Sequence, residues 1–410
     1  MELHQGSLYW PTTYQASHRK KPAKIADYYD ALIVGGGMSG ALTALTLLDR
    51  GYKVAIVDKR GFASGSTSAN TGLLQYSNDI MLHELIEQIG EKDGVNFYRS
   101  CKIAMDQLKS VADRLSVDPQ FICRESIYYA SDEKDAERLE KEYRTLRKYD
   151  LPCTYWDREA LLKETGIDRT CAIVTFGDAE VNPYLFVNGI FDLAETLGAH
   201  LFEYTEMLGV KDSDETLTIS TSYGEMRTIN IIFTTGYETL PIGKRIGSDI
   251  NRSYVIVTEP LKELPAWYRD ALIWETKRPY LYMRTTADSR IIIGGLDEDI
   301  GDMTITDHWI YVRSNELRNR FNDLFPHLEI HIDYAYCATF GESIDNLPFI
   351  GEHPDKKKHY YLLGYGGNGT VYSMLGAELL ADQLCGIDHP ISHIVQLIRK
   401  VGMGKRKMIL

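Results

Sequence analysis

Residues 30–58 read DALIVGGGMSGALTALTLLDRGYKVAIVD, and the order of elements written there decides the fold. Ala31, Leu32, Ile33 and Val34 are apolar at consecutive positions, as in a parallel strand covered on both faces. A glycine turn follows directly, then an apolar helix over about 39–49 that Gly51 stops, then a second strand over 53–57 ending in Asp58. Gly35, Gly37 and Gly40 fall in a G-x-G-x-x-G pattern: the first for the tight turn, the second for backbone approach to a pyrophosphate, the third for close helix packing. Met38 and Ser39 open a helix whose N-terminus offers amide donors and a positive dipole end to phosphate. Asp58, with Lys59 beside it, stands where a carboxylate accepts bonds from ribose hydroxyls. Strand, helix and acidic terminus in register predict a dinucleotide site.

Working outward, the chain does not continue into another strand and helix after Asp58, as a nicotinamide domain would. It enters a loop of small and hydroxylated residues, Ser64 to Gly72, suited to wrapping a pyrophosphate and leaving room for an isoalloxazine ring, which favours FAD. A long helical region is expected over 83–115, and a helix capped by Ser131 or Asp132 with Leu139 and Leu146 on its inner stripe. Asn182 and Pro183 start another helix that Gly198 ends. Strands are expected near 201–204, 217–221, 229–234, 280–284 and 290–293, and a helix over 307–325. Near the C-terminus a strand over 360–363 runs into GYGGNG and a helix over 370–384, repeating the opening pattern more than 300 residues later. One nucleotide-binding domain assembled from separate segments follows. The expected division is an N-terminal extension (1–24), an FAD-binding domain (25–100, 172–245 and 338–396), a substrate domain (101–171 and 246–337) and a loosely held basic tail (397–410). The fold class is α/β: a Rossmann-like FAD-binding domain with an inserted α+β substrate domain on a mostly antiparallel sheet.

The 410 residues allow two or three domains, and 45 Lys plus Arg against 58 Asp plus Glu give a net charge of -13. That balance argues against a nucleic-acid partner. No apolar run approaches the roughly 20 residues of a membrane span. The N-terminus has a basic stretch but no apolar segment of a secretory signal, so a cytoplasmic protein is expected, its start lying against the body through Leu8, Tyr9 and Trp10. The six cysteines show no CxxC pair or ligand spacing, and no metal site is expected.

The chain from about 30 to 384 resembles the FAD-dependent oxidoreductases of the D-amino-acid oxidase class, which includes glycine oxidase, sarcosine oxidase and oxidases of glutamylated polyamines. The matching stretches are DALIVGGGMSG (30–40), VAIVDKRGFASGSTSANTG (54–72), IIFTTGYET (231–239), RIIIGGLDED (290–299), IDNLPFIG (344–351) and LLGYGGNGTVYS (362–373). The resemblance implies that Ser66, Thr67, Ser68, Asn70 and Thr71 lie near the pyrophosphate and ring, and that Thr235 and Gly236 pass near the dinucleotide. It also places Gly366, Gly367, Asn368, Gly369 and Thr370 by the pyrimidine edge of the flavin, where backbone donors stabilise charge that accumulates on reduction.

It further implies oxidation of the C–N bond of a small amine or amino acid by hydride transfer to flavin N5, giving an imine that hydrolyses. Oxygen or another acceptor would reoxidise the flavin, and the sequence reads equally as oxidase or dehydrogenase there. One position departs from the pattern. Amino-acid oxidases of this class carry a carboxylate-clamping arginine where this chain has Phe340. Arg284, or Lys277 and Arg278, would be a displaced anchor; otherwise the substrate is an amine handled by Glu275 or by aromatic walls. Tyr254, Tyr280 and Tyr282 are candidates for those walls. Cys337 sits near the place of a covalent flavin link, but its surroundings do not match, so non-covalent FAD is expected. The competing readings are a flavin dehydrogenase for a hydroxy acid or polyol phosphate, and a non-catalytic flavoprotein subunit.

Overall fold

A computed structural model describes residues 3–15, 19, 21–22, 24–238, 248–264, 267–299, 305–400 and 407–408. Runs of consecutive apolar residues and runs of alternation sort these into two large sheets. The first has eight strands among the described residues, with Phe349–Glu352, His359–Leu363, Gly224–Phe233, Tyr29–Val34, Val54–Val57 and His200–Phe202 in spatial order. Its centre is parallel, Ile33 facing Ile56 on one side and Ile232 on the other. Both faces are therefore covered, and Ala31, Leu32 and Ile33 have no exposed surface. Helix Met38–Asp49 packs between Gly369–Leu384 and Pro183–Thr196. The side chain of Asn182 caps the last of these by accepting from the Leu185 amide at 3.1 Å.

The second sheet has ten strands among the described residues and is antiparallel except where Leu272–Glu275 runs parallel to Ile122–Tyr129. Strands Ser248–Thr258, Ile291–Glu298, Leu281–Thr285 and Ile332–Ser343 form its middle, and helix Asp307–Leu324 covers one face of them. Tyr254, Ile256, Met283, Ile293 and Cys337 point into that covered face with Leu317 and Phe321. Alternation turns their neighbours to the other face, which looks toward the dinucleotide sheet.

Several expectations need correction. The helical region over 83–115 is two helices, Leu82–Ile89 and Glu91–Ala112, because Gly90 between them has φ +95°. The helix expected at Ser131 or Asp132 begins at Ala136 behind a short turn, and the Ser131 hydroxyl is instead given to Glu275 at 2.8 Å. The domain edge at 100/101 falls inside helix Glu91–Ala112, that at 171/172 inside strand Cys171–Glu180 of the large sheet, and that at 337/338 inside strand Ile332–Ser343. Periodicity marks an element but not its pairing partner, which is why edges drawn from it cut elements. The edge at 245/246 lies outside the described residues. The N-terminal segment does lie against the body as expected, burying Tyr9 and Trp10, and it also adds strand His4–Gly6 to the edge of the large sheet. The tail is tied down at its start: Leu397 is buried, and Arg399 meets Asp345 through Nε at 2.6 Å and Nη2 at 2.8 Å. Residues 401–406 and 409–410 of that tail lie outside the described residues.

Candidate active site

Between the two sheets runs a cavity of about 350 Å³, within the size range of small-molecule sites. Its two ends differ in origin. At one end Gly35 leaves the first strand with φ +114°, and a Cβ there would stand 2.5 Å from the Thr234 carbonyl oxygen. The turn is closed by Gly40, whose missing Cβ would lie 1.9 Å from the Gly35 oxygen. Gly40 does not line the cavity; it lets the helix sit against the strand. Thr67 Oγ1 accepts from the Met38 amide at 3.1 Å, which joins the second loop to the helix N-terminus. Asp58 accepts from the Gly36 amide at 2.7 Å and the Arg60 amide at 2.8 Å. Burial pushes its carboxyl above the usual range, and those two bonds oppose the shift. Across this mouth Glu238 binds Lys59 at 3.3 Å and Arg60 at 2.6 Å.

Of the residues expected at the cofactor, Gly35, Gly37, Met38, Ser39, Asp58, Lys59, Ser66, Thr67, Asn70, Thr71, Thr235, Gly236 and the whole 366–370 turn line the cavity. Besides Gly40, Ser68 does not: it is buried and gives its hydroxyl to the Gly65 carbonyl at 2.8 Å, shaping the loop from behind. The 366–370 turn is braced by Asn368, which donates to the Gln75 carbonyl at 3.0 Å and to Asn78 Oδ1 at 2.9 Å. The Gly367 amide donates to Asp79 Oδ2 at 3.1 Å.

The other end is built from the large sheet. Tyr280, Tyr282, Trp274, Ser253, Asp297 and Phe340 line it, with Asp79 reaching in from the dinucleotide side. The rings of Tyr280 and Tyr282 lie 5.5 Å apart at 41°. Tyr282 bonds to Ser253 and Thr71, and burial pushes its phenol up to about 12. Burial also pushes the Asp297 carboxyl up to about 6, opposed by a bond from Ser253 and reinforced by the neighbouring charge of Asp79. One oxygen of Asp297, Oδ1, is sealed from solvent without a hydrogen-bond partner.

The expected substrate groups fare unevenly here. Tyr282 is at the cavity. Arg284 is not: it shares the face of Tyr282, but the 70–74 loop and Trp10 cover it. Its Nη1 donates to the carbonyls of Gly72 at 2.9 Å and Val181 at 3.2 Å, and its guanidinium carbon lies 5.3 Å from the Trp10 ring. Tyr254 belongs to the helix-covered face, accepting from Trp309 Nε1 at 2.6 Å. Lys277 lies on an exposed turn. Glu275 also turns away, accepting from Ser131 and, at 3.1 Å, from Tyr129. Cys337 is fully buried in the helix-covered core and does not line the cavity. Sequence reasoning missed Asp79, Ser253, Trp274 and Asp297. A signal existed for Asp297 alone, the first of the acids that follow Gly294 and Gly295 in the RIIIGGLDED stretch.

Comparison with known proteins agrees with this geometry. The model of the family described as FAD dependent oxidoreductase matches residues 30–383. Glycine oxidase of Geobacillus kaustophilus is 23% identical over 363 residues, covering 86% of this chain and 92% of that protein. The crystal structure of glycine oxidase from Geobacillus kaustophilus superposes with a TM-score of 0.79 at 20% identity, covering 92% of this chain and 100% of the other. Gamma-glutamylputrescine oxidoreductase of Escherichia coli is 24% identical over 379 residues, covering 87% of this chain and 84% of that protein. L-proline dehydrogenase from P. horikoshii has a TM-score of 0.76 at 18% identity, covering 90% of this chain and 96% of the other. No helix among the described residues is long and apolar enough to cross a membrane.

Proposed function

Because the chain belongs to the FAD-dependent oxidoreductase family, we propose that it oxidises the C–N bond of a small amine to an imine, which water then hydrolyses to a carbonyl compound and an amine or ammonia. When bound, FAD supplies the two-electron acceptor for the hydrogen leaving the carbon beside nitrogen. The turn of Gly35 to Ser39 and the hydroxyls of Ser66 and Thr67 hold the pyrophosphate through backbone and side-chain donors. Asp58, at the end of the second strand, would accept from ribose hydroxyls. The 366–370 turn, at the N-terminus of helix Gly369–Leu384, would offer backbone donors other than the Gly367 amide, which Asp79 takes, to charge that accumulates on the flavin. Tyr280, Tyr282, Trp274 and Phe340 wall off water and fix the reacting carbon by contact.

The observation that carries this reading is the charge of the substrate end. Among the described residues the basic side chains lining the cavity are Lys59 and Arg60, both at the Asp58 end and both held by Glu238. A hydroxy acid or polyol phosphate needs a cation where this pocket presents Asp297, Asp79 and aromatic rings. The test is anaerobic titration of the FAD-loaded protein with amines, sarcosine, glycine, D-amino acids, hydroxy acids and glycerol phosphate, following the visible flavin band. Bleaching by an amine or amino acid supports the proposal. Bleaching by a hydroxy acid or phosphate ester alone, or by no compound, refutes it.

A further inference from the structure

Burial of a carboxylate without a partner is costly, and proteins offset it with a cation or with donors. Asp297 has a single hydroxyl partner, Ser253, one oxygen sealed off without a donor, and no salt bridge among the described residues. Facing it from another element is Asp79, and Arg278, 3.9 Å from Asp79 and outside the cavity lining, lends its charge to both acids without bonding to Asp297. Asp79 and Tyr280 meet at the 366–370 turn, where a Cβ on Gly367 would fall 2.7 Å from Asp79 Oδ2 and 3.3 Å from the Tyr280 hydroxyl, and the charge of Asp79 reaches Asp297. Tyr280 and Tyr282 provide two tilted ring faces beside the carboxylates. Carboxylates combined with aromatic faces are the chemistry that binds an ammonium ion, by charge and by the ring quadrupole.

We infer that Asp297, with Asp79 across from it and Tyr280 and Tyr282 as walls, holds the ammonium group of a cationic amine lacking a carboxylate on its reacting carbon and accepts the proton this nitrogen gives up before hydride leaves the carbon, an inference resting on the C–N oxidation proposed above. An α-amino acid would bring its carboxylate toward two carboxylates and the apolar ring of Phe340, where no cation lines that end of the cavity among the described residues and the donors are neutral, among them the hydroxyls of Tyr280, Tyr282 and Ser253. A carboxylate-free amine presents only the charge that the pocket lacks.

The experiment uses the FAD-loaded full chain and two small ions that cannot be oxidised, tetramethylammonium chloride and sodium acetate, with ionic strength held by sodium chloride. Tetramethylammonium is expected to perturb the flavin absorption saturably, and acetate to leave it unchanged. Asp297→Asn, once shown to carry a full complement of FAD, is expected to bind the cation about tenfold more weakly. Acetate binding, absence of cation binding to the wild type, or equal cation affinity in a loaded Asp297→Asn overturns the inference; the wild-type comparison needs no variant. The reduction titration separates the two readings. Bleaching by α-amino acids and by no carboxylate-free amine leaves C–N oxidation standing and removes the ammonium anchor. Bleaching by a hydroxy acid alone removes C–N oxidation, whatever the cation does.

Discussion

The two ends of the cavity are made differently. The dinucleotide end comes mostly from one continuous stretch, residues 34–71, whose glycines, helix start and Asp58 act on the backbone itself. The substrate end takes Asp79, Ser253, Trp274, Tyr280, Asp297 and Phe340 from separate strands and loops, often one side chain from each. Backbone requirements tolerate little change and are written locally. Side-chain requirements depend on which face of which strand is left uncovered, so they can change one residue at a time while the cofactor end stays fixed.

The largest effect expected from this contrast is at Gly40. Gly40→Ala puts a Cβ 1.9 Å from the Gly35 carbonyl oxygen, a backbone atom that cannot move without shifting the turn. Overpacking of this kind costs about 1–3 kcal/mol, and here it falls on the pyrophosphate site. At free FAD equal to the wild-type dissociation constant, the variant is expected to carry less than about a fifth of the wild-type FAD per chain, as a binding loss of about 1.4 kcal/mol or more requires. Full loading, read from the ratio of visible to ultraviolet absorbance, would break the claim that the third glycine is there for packing.

Arg284 tests the other end by not belonging to it. Arg284→Met removes the donors to the Gly72 and Val181 carbonyls and leaves both buried. The Gly72 carbonyl still accepts from the Val181 amide at 3.0 Å, so at about 2 kcal/mol for the Val181 carbonyl alone, a loss of roughly 2 kcal/mol in unfolding free energy is expected from urea melts. Substrate specificity should stay as it is, since the guanidinium does not reach the cavity. A variant of wild-type stability with changed amino-acid preference would restore Arg284 as a displaced carboxylate anchor.

How far the sequence could be read follows the same division. The strand, glycine turn and helix of 30–58 and the late turn at 364–370 were legible because each signal is local, and their outlines stand within a residue or two. Tyr282 was legible as an aromatic wall of the substrate domain. Arg284, named as a displaced anchor, lies two residues along on the same face, and only the packing of Trp10 and the 70–74 loop over that spot removes it. Tyr254 failed for the opposite reason: its own face is the one covered by helix Asp307–Leu324, while Ser253 and Val255 look into the cavity. No local pattern says which face a later helix will cover. Asp79, in the loop SNDIM, carried no signal at all.

A third prediction concerns the acid that the pocket leaves unsatisfied. The folded-state value of Asp297, about 6, is above its ordinary 3.8, so the native protein holds this proton more tightly than the unfolded chain does. Stability therefore falls as pH rises through the window from about 4 to about 6, and this contribution is level on either side. At about 1.4 kcal/mol per unit, the penalty reaches roughly 2–3 kcal/mol by neutral pH. Asp297→Asn removes it: the variant is expected to be more stable than wild type at pH 7 and to match it near pH 4. Asp79, Arg278, Ser253, Tyr280 and Tyr282 surround the group and are the same in both proteins. Parallel stability curves across the window would show that Asp297 is not held as a strained acid.

The smallest effect sharpens the comparison where the two ends touch. Trp10 Nε1 donates to the Asn70 carbonyl at 2.5 Å, and His4 reaches the Ser64 carbonyl at 3.2 Å, so the N-terminal strand of the large sheet holds the loop that closes the dinucleotide end. Trp10 has no exposed surface, and a phenylalanine there keeps most of its apolar contact while leaving the Asn70 carbonyl without its donor. One such bond contributes about 1 kcal/mol, so Trp10→Phe is expected to release FAD about fivefold faster, measured by recovery of flavin fluorescence after dilution. The change should appear in cofactor release and not in the choice between tetramethylammonium and acetate, because Trp10 touches the loop and not the acids. An unchanged release rate would mean that the loop keeps its shape without this segment, and that the two ends are coupled through Arg284 and Gly72 instead.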